Sequence, residues 1–159
     1  MQPRLIRFAL ACWGLGAALG AGLNAVLGAL SPEYFRRVMG WDFPGIGSAA
    51  VLQGLLEGTV YGLLVALVLG ARWLRTKSPL AVLLPLPLWS TLAALAGGLL
   101  GAGLAALNPP YFTATFPLSD GLLGPSLTAF GAVGGAINGA LLGAAFGTIA
   151  AWSRLRTPH

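Results

Sequence analysis

Apolar residues fall in four long blocks, and the short stretches between them hold nearly every charge. The blocks cover residues 6–30, 45–71, 81–107 and 125–152, each long enough for the ~20 residues that a hydrocarbon core requires of a helix. The pattern predicts four transmembrane helices and an all-α protein. Pro79, Pro85 and Pro87 fall at the start of the third block. A proline inside a helix removes a hydrogen bond and clashes with the preceding turn, so this helix is expected either to kink or to begin near Leu88.

Inside these blocks, small residues recur at four-residue spacing. Ala50, Gly54, Gly58, Gly62, Ala66 and Gly70 form one ladder, and Gly131, Gly135, Gly139, Gly143, Gly147 and Ala151 form another, 81 positions on. Interior glycine costs a helix about 0.5–1 kcal/mol relative to alanine. In lipid that cost is offset where small residues let two backbones approach. Weaker series lie on the first and third helices: Gly16, Gly20, Asn24, Gly28 and Ala93, Gly97, Gly101, Ala105. The geometry admits two arrangements. Helices two and four contact each other at a central axis, or each packs on the helix preceding it.

The ladders are one sign of duplication. Pro44, Leu74, Arg75 and Thr76 return as Pro125, Leu155, Arg156 and Thr157, while Leu30, Pro32, Tyr34 and Phe35 return as Leu107, Pro109, Tyr111 and Phe112. A tandem repeat is therefore expected, about residues 6–76 and 81–157, within one transmembrane domain spanning 1–159. Each repeat is a helical hairpin with an outer loop opening Pro-x-Tyr-Phe. Two spans per repeat return the chain to its starting side. The hairpins run parallel, related by an expected pseudo-twofold axis along the membrane normal rather than in its plane.

Composition agrees with burial in lipid. Hydrophobic residues make up 57% and charged residues 8% of the chain, against about 25% charged in a soluble domain; mean hydropathy is +0.82. A net charge of +5 in a soluble protein would suggest nucleic acid. Here Arg4, Arg7, Arg72, Arg75, Lys77, Arg154 and Arg156 all flank spans on one side, leaving Arg36 and Arg37 opposite with Glu33 and Asp42. The positive-inside rule accounts for that asymmetry without a nucleic-acid partner and places both termini in the cytoplasm. Trp73 and Trp152 at the inner ends, with Tyr34, Trp41 and Tyr111 outside, suit interfacial belts. The first block runs too far for a signal peptide, and Ala9 stands where a lipoprotein signal carries leucine before its cysteine. An uncleaved helix is expected, with Cys12 unmodified.

Chemistry belongs where polar groups enter the membrane. Glu57 is the one acidic residue within a span, and Gln53, Glu57 and Tyr61 share a stripe at i, i+4, i+8. Asn24 should lie at similar depth and is the natural hydrogen-bond partner for Glu57. Asn138 occupies the position of Glu57 in the second repeat, where Gly134 and Leu142 replace Gln53 and Tyr61. A carboxylate at that depth costs a few kcal/mol unless it faces protein or stays protonated. Two readings follow: a proton, cation or polar-solute site, or a protonated carboxyl and amides that tie helices together. Catalytic, metal and cofactor sites are not expected. The one histidine is His159 at the chain end, Cys12 is alone, and Gly-x-Gly runs such as Gly45-Ile46-Gly47 lack the strand–turn–helix frame of a phosphate site.

The loop Ser31-Pro32-Glu33-Tyr34-Phe35-Arg36-Arg37, followed by the helix carrying Gln53, Gly54, Glu57, Gly58, Tyr61 and Gly62, resembles uncharacterised multi-pass membrane proteins of bacteria over residues 24–69. That resemblance implies no activity. The loop itself suits partner docking or gating, or, with Tyr34 and Phe35 at headgroup depth and Pro32 ending a helix, simple anchoring. The function expected is non-enzymatic: a helix-packing or assembly subunit in the lipid bilayer, joining other membrane proteins or its own copies as a homo-oligomer. The alternative is a small channel or transporter for a proton, cation or small solute using Glu57.

Overall fold

A computed structural model describes residues 3–41, 44–76 and 80–155. Asp42, Lys77, Pro79, Arg156, Thr157 and His159, on which some expectations rest, lie outside them. Among the described residues there are six α-helices and no strand: α1 (Pro3–Leu30), α2 (Pro32–Met39), α3 (Ile46–Thr76), α4 (Pro85–Leu107), α5 (Pro109–Thr115) and α6 (Pro125–Arg154), with 3-10 turns at Leu80–Leu83 and Pro117–Ser119. Four segments are long and apolar enough to cross a membrane: Pro3–Leu30, Ile46–Arg75, Leu80–Leu107 and Pro125–Arg154.

The expectation that α4 begins near Leu88 is not met. It begins at Pro85, directly after the 3-10 turn. Pro85 and Pro87 both sit in the first turn, where the backbone N–H has no helical partner to lose. The two short helices begin alike. The Ser31 hydroxyl accepts from the Tyr34 amide at 3.3 Å and the Asn108 side-chain oxygen from the Tyr111 amide at 3.3 Å, each followed by proline at the first helical position. These prolines therefore open helices. At the far end of α2, Gly40 adopts φ +68, a left-handed conformation that costs other residues about 1–2 kcal/mol.

The long helices associate as two pairs, α1 with α3 and α4 with α6. Both ladders face these partners and not each other. A Cβ on Gly54 would overlap the Gly20 carbonyl oxygen, one on Gly58 the Gly16 carbonyl, and one on Gly62 the Cys12 carbonyl. In the second pair Gly131 meets Gly101, Gly135 meets Gly97, Gly139 meets Ala93, Gly143 meets Trp89, and Gly147 meets Pro85 and Leu86, again backbone to backbone. Only hydrogen fits at these positions, which is why alanine does not replace glycine there.

Contacts between the pairs concentrate at the two ends of the bundle. At the end carrying the chain termini, Phe8, Leu69, Trp73, Leu86, Ala151 and Leu155 belong to one buried cluster. Trp73 lies inside it, stacked on Phe8 at 4.8 Å, instead of in an interfacial belt. At the loop end a second cluster joins Leu27, Phe35, Ile46 and Ala50 to Val133 and Ala136. Phe35 is fully buried and stacks on Trp41 at 5.8 Å. Tyr34 crosses to the second pair, with its ring 5.0 Å from that of Phe130 and its edge against Gly134. Burial pushes the Tyr34 phenol above its ordinary pKa. This loop is thus a packing element; its aromatic side chains face protein.

Arg37 completes the join. Its Nε donates to Glu33 at 2.8 Å and its Nη1 to the carbonyls of Leu118 at 3.3 Å and Asp120 at 2.5 Å. The guanidinium hydrogen bond holds the Glu33 carboxyl below the usual glutamate range.

Candidate functional site: a cavity between the helix pairs

Between the two end clusters the pairs stand apart, leaving a cavity of about 140 Å³. Its polar lining comes from Asn24 on α1, Glu57 and Tyr61 on α3, and Ser90 on α4. Tyr61 is the middle residue of α3, so Glu57, four residues earlier, lies about 6 Å toward the loop end at 1.5 Å rise per residue. The site is therefore close to the centre of the membrane-spanning region.

Helical spacing explains how these groups come together. Gln53, Glu57 and Tyr61 recur every four residues, next to the Gly54-Gly58-Gly62 ladder that fixes α3 on α1. Gln53 Nε2 donates to Glu57 Oε1 at 2.6 Å. Asn24 is buried, at 6% exposure, and shares the cavity with Glu57, but the expected hydrogen bond between them is not made. Glu57 and Tyr61 are exposed, so the cavity is open along their side. Ser90 is a site residue that sequence reasoning missed. Its hydroxyl donates to the Ala140 carbonyl at 3.1 Å, crossing from α4 to α6. The Ser90-Thr91 step in an otherwise apolar block was the available signal.

Asn138 is placed elsewhere. It lines a separate, broader groove of about 610 Å³ on the α4–α6 pair, with Gly97, Gly101, Gly135, Gly139 and Leu142. Its Nδ2 donates to the Gly134 carbonyl of its own helix at 2.9 Å. Of the five polar residues considered, three line the central cavity, Gln53 adjoins it through Glu57, and Asn138 is separated from it.

The two pairs therefore meet by unlike sides. The first offers its Asn24–Glu57–Tyr61 side, and the second offers Ile137, Ala140 and Ala144. The Asn138–Leu142 side of the second pair, which holds the positions matching Glu57 and Tyr61, faces away. A twofold relation would bring matching sides together, so the expected pseudo-twofold axis does not describe this arrangement.

What can the cavity do? At liquid density its volume corresponds to about four or five waters of ~30 Å³ each. A purely hydrocarbon cavity of that size would stay dry, but an amide, a carboxyl, a phenol and a hydroxyl give water the 2–4 polar partners it needs. Such a site can hold water or a small polar group beside Glu57. Among the described residues no three His, Cys, Asp or Glu side chains gather in one place. No second acid, imidazole or amine is among the residues lining the cavity with Glu57. Comparison with known protein families, characterised proteins and solved structures gives no match.

Proposed function

We propose that this chain is a non-enzymatic bacterial inner-membrane protein whose role is assembly: a tandem repeat of two parallel helical hairpins that joins its own copies or a larger membrane complex. The observation that carries the reading is the small-residue groove of α4 and α6. Gly97, Gly101, Gly135 and Gly139 make the closest packing inside the pair, and among the described residues no other long helix lies over the groove they line with Ala96, Asn138 and Leu142. Small residues on a lipid-facing surface are what allow another helix to approach closely.

The repeat itself is supported by matching contacts. Gly20 on Gly54, Gly16 on Gly58 and Cys12 on Gly62 in the first pair correspond to Gly97 on Gly135, Ala93 on Gly139 and Trp89 on Gly143 in the second. The shift is 77 positions for the first helix and 81 for the second. The cytoplasmic placement of the termini rests on charge: Arg4, Arg7, Arg72, Arg75 and Arg154 lie at the terminal end, while Arg36 and Arg37 at the loop end are offset by Glu33. Kinship with the bacterial proteins that share the Ser-Pro-Glu-Tyr-Phe loop is part of the same proposal. The test is native mass spectrometry of protein extracted gently from its own membrane. An assembly of several chains supports the reading, and a lone chain carrying only lipid overturns it.

A second reading is favoured by one observation, the shared cavity of Glu57, Tyr61, Asn24 and Ser90. It makes the protein a small channel or transporter for a proton, a cation or a small polar solute. Flux into liposomes that falls to background with Glu57→Gln would establish it; flux unchanged by that substitution would remove Glu57 from the pathway.

A further inference from the structure

In a bilayer an apolar surface needs no protein cover, because lipid tails are as apolar as leucine. Exposure of the α4–α6 groove therefore favours assembly without naming what docks there. What carries an inference is that the chain already contains this groove in a partly roofed form, with its own second hairpin lying over it.

The first-pair side of the central cavity includes Gly20, Asn24, Gly54, Glu57, Gly58 and Tyr61. The residues 77 positions on for α1, and 81 on for α3, are Gly97, Gly101, Gly135, Asn138, Gly139 and Leu142, and all six line the open groove. The two grooves are the same side of the two hairpins. Over the first groove lies the back of the second hairpin, with Leu86, Ser90, Ile137, Ala140, Leu141 and Ala144. The corresponding back of the first hairpin carries Ala9, Trp13, Leu56, Thr59, Val60 and Leu63. Apart from Ala9, which packs on the terminal-end cluster, it is largely open: Trp13 is 43% exposed, Leu56 53%, Val60 57% and Leu63 50%.

Each chain thus presents an open groove at one side and, at the other, a largely open copy of the surface that lies over such a groove. We propose that a second copy of this chain docks head-to-tail, the back of its first hairpin seated in the α4–α6 groove. This rests on the assembly reading and names its partner. Side-chain volumes agree with it at three positions on each side, while Leu86 to Ala9 and Leu141 to Val60 run the other way. Where the groove becomes smaller (Leu19 to Ala96, Asn24 to Gly101, Tyr61 to Leu142), the incoming surface becomes larger: Ser90 to Trp13, Ala140 to Thr59, Ala144 to Leu63. The orientation is permitted too. Both hairpins start and end at the same face of the bundle, since Phe8, Trp73, Leu86 and Leu155 share one cluster. Repeating their relation between chains keeps every copy the same way up. Such a heterologous contact closes into a ring or continues as a row in the membrane plane.

Repeating the internal contact brings Trp13 of one copy and Asn138 of the next into one lining, as Ser90 and Glu57 share one, and likewise Val60 and Leu142, as Leu141 and Tyr61 do. The test uses membranes holding two differently tagged copies, both Cys12→Ser. One carries Trp13→Cys and the other Asn138→Cys; a second set carries Val60→Cys and Leu142→Cys. Mild oxidation should yield mixed-tag dimers for both unlike combinations and none for two copies of the same variant. Ala96→Phe, which puts bulk on the groove floor and none inside the pair, should abolish them. Native mass spectrometry of the wild-type chain runs alongside. Multi-chain assemblies without the unlike cross-links, or with like cross-links of equal strength, overturn head-to-tail docking and leave the assembly reading standing. A lone chain without cross-links overturns both.

Discussion

Adding one methyl group should have opposite effects at two glycines of this fold. A Cβ on Gly54 would come within 2.7 Å of the Gly20 carbonyl carbon and 2.8 Å of the Asn24 Cβ, besides overlapping the Gly20 oxygen. Comfortable separations are about 3.5–4.0 Å, so α1 and α3 must part by on the order of 1 Å at their crossing. A gap of that size forfeits a quarter to a half of each contact worth ~0.1–0.2 kcal/mol, and over a few tens of atom pairs the loss is about 1–3 kcal/mol. A Cβ on Gly22 meets nothing within 4 Å. Both substitutions gain the same helix preference, about 0.5–1 kcal/mol, so their difference isolates the clash. In mixed micelles titrated with SDS and followed by tryptophan fluorescence, Gly54→Ala should unfold earlier than wild type and Gly22→Ala no earlier. Gly20→Ala combined with Gly54→Ala should cost less than the two separately, because one opening accommodates both methyls. Equal midpoint shifts for Gly54→Ala and Gly22→Ala would refute the backbone-contact account.

Other substitutions probe the loop end. Phe35→Ala removes a fully buried ring and should lower stability by about 3–5 kcal/mol in the same titration. Gly40→Ala meets no atom within 4 Å but must adopt φ +68; a loss of about 1–2 kcal/mol is expected, against none for Gly47→Ala. Arg37→Ala should free the Leu118–Asp120 turn, raising amide hydrogen exchange there while the long helices keep their protection. Glu33 adds a pH dependence. Its folded pKa is lowered by the Arg37 hydrogen bond, so its stabilisation is present above the ordinary value of 4.5 and is lost as pH falls through the lowered one. Glu33→Gln should remove that acid-side loss in stability measured from pH 6 downward.

The four spans are legible because lipid demands long apolar blocks and leaves the charges between them. The ladders announce close approach, yet a four-residue period says nothing about which helix approaches. That choice lies in contacts distant in sequence, such as Gly20 with Gly54. The capping signals Ser31-Pro32 and Asn108-Pro109 are local and legible, but the fate of Tyr34 and Phe35 is not. Eight residues of amphipathic helix look the same whether the apolar edge meets lipid headgroups or folds back on Phe130 and Gly134. The site divides in the same way. Asn24, Glu57 and Tyr61 converge because depth along a helix can be counted. Asn138 is at matching depth and still separated, because depth does not reveal which sides of two hairpins meet. Ser90 is not legible as a site residue because a hydroxyl in a membrane helix ordinarily bonds its own backbone; here it bonds across to α6 instead.

The unlike contact also accounts for where the polar residues lie, on the repeat reading. A carboxyl facing lipid near mid-membrane costs a few kcal/mol; Glu57, on the open side of the cavity, stands in the groove that the other hairpin partly roofs, bonded by Gln53 and beside room for water. At the matching position in the open groove stands Asn138, an uncharged side chain whose amide is already bonded to Gly134 of its own helix. Gly134 and Leu142 replace Gln53 and Tyr61 beside it, and little is left there that needs a polar neighbour. Exchanging the two should therefore be asymmetric. Glu57→Asn should be tolerated, since an amide can still pair with Gln53 and cavity water. Asn138→Glu should hinder insertion when the groove faces lipid, and less so when a docked copy brings Thr59 and Trp13 against it. Membrane-inserted yield of Asn138→Glu in the wild-type and Ala96→Phe backgrounds separates these cases. If docking shields the groove, the yield falls further with Ala96→Phe; if lipid always fills it, Ala96→Phe changes nothing.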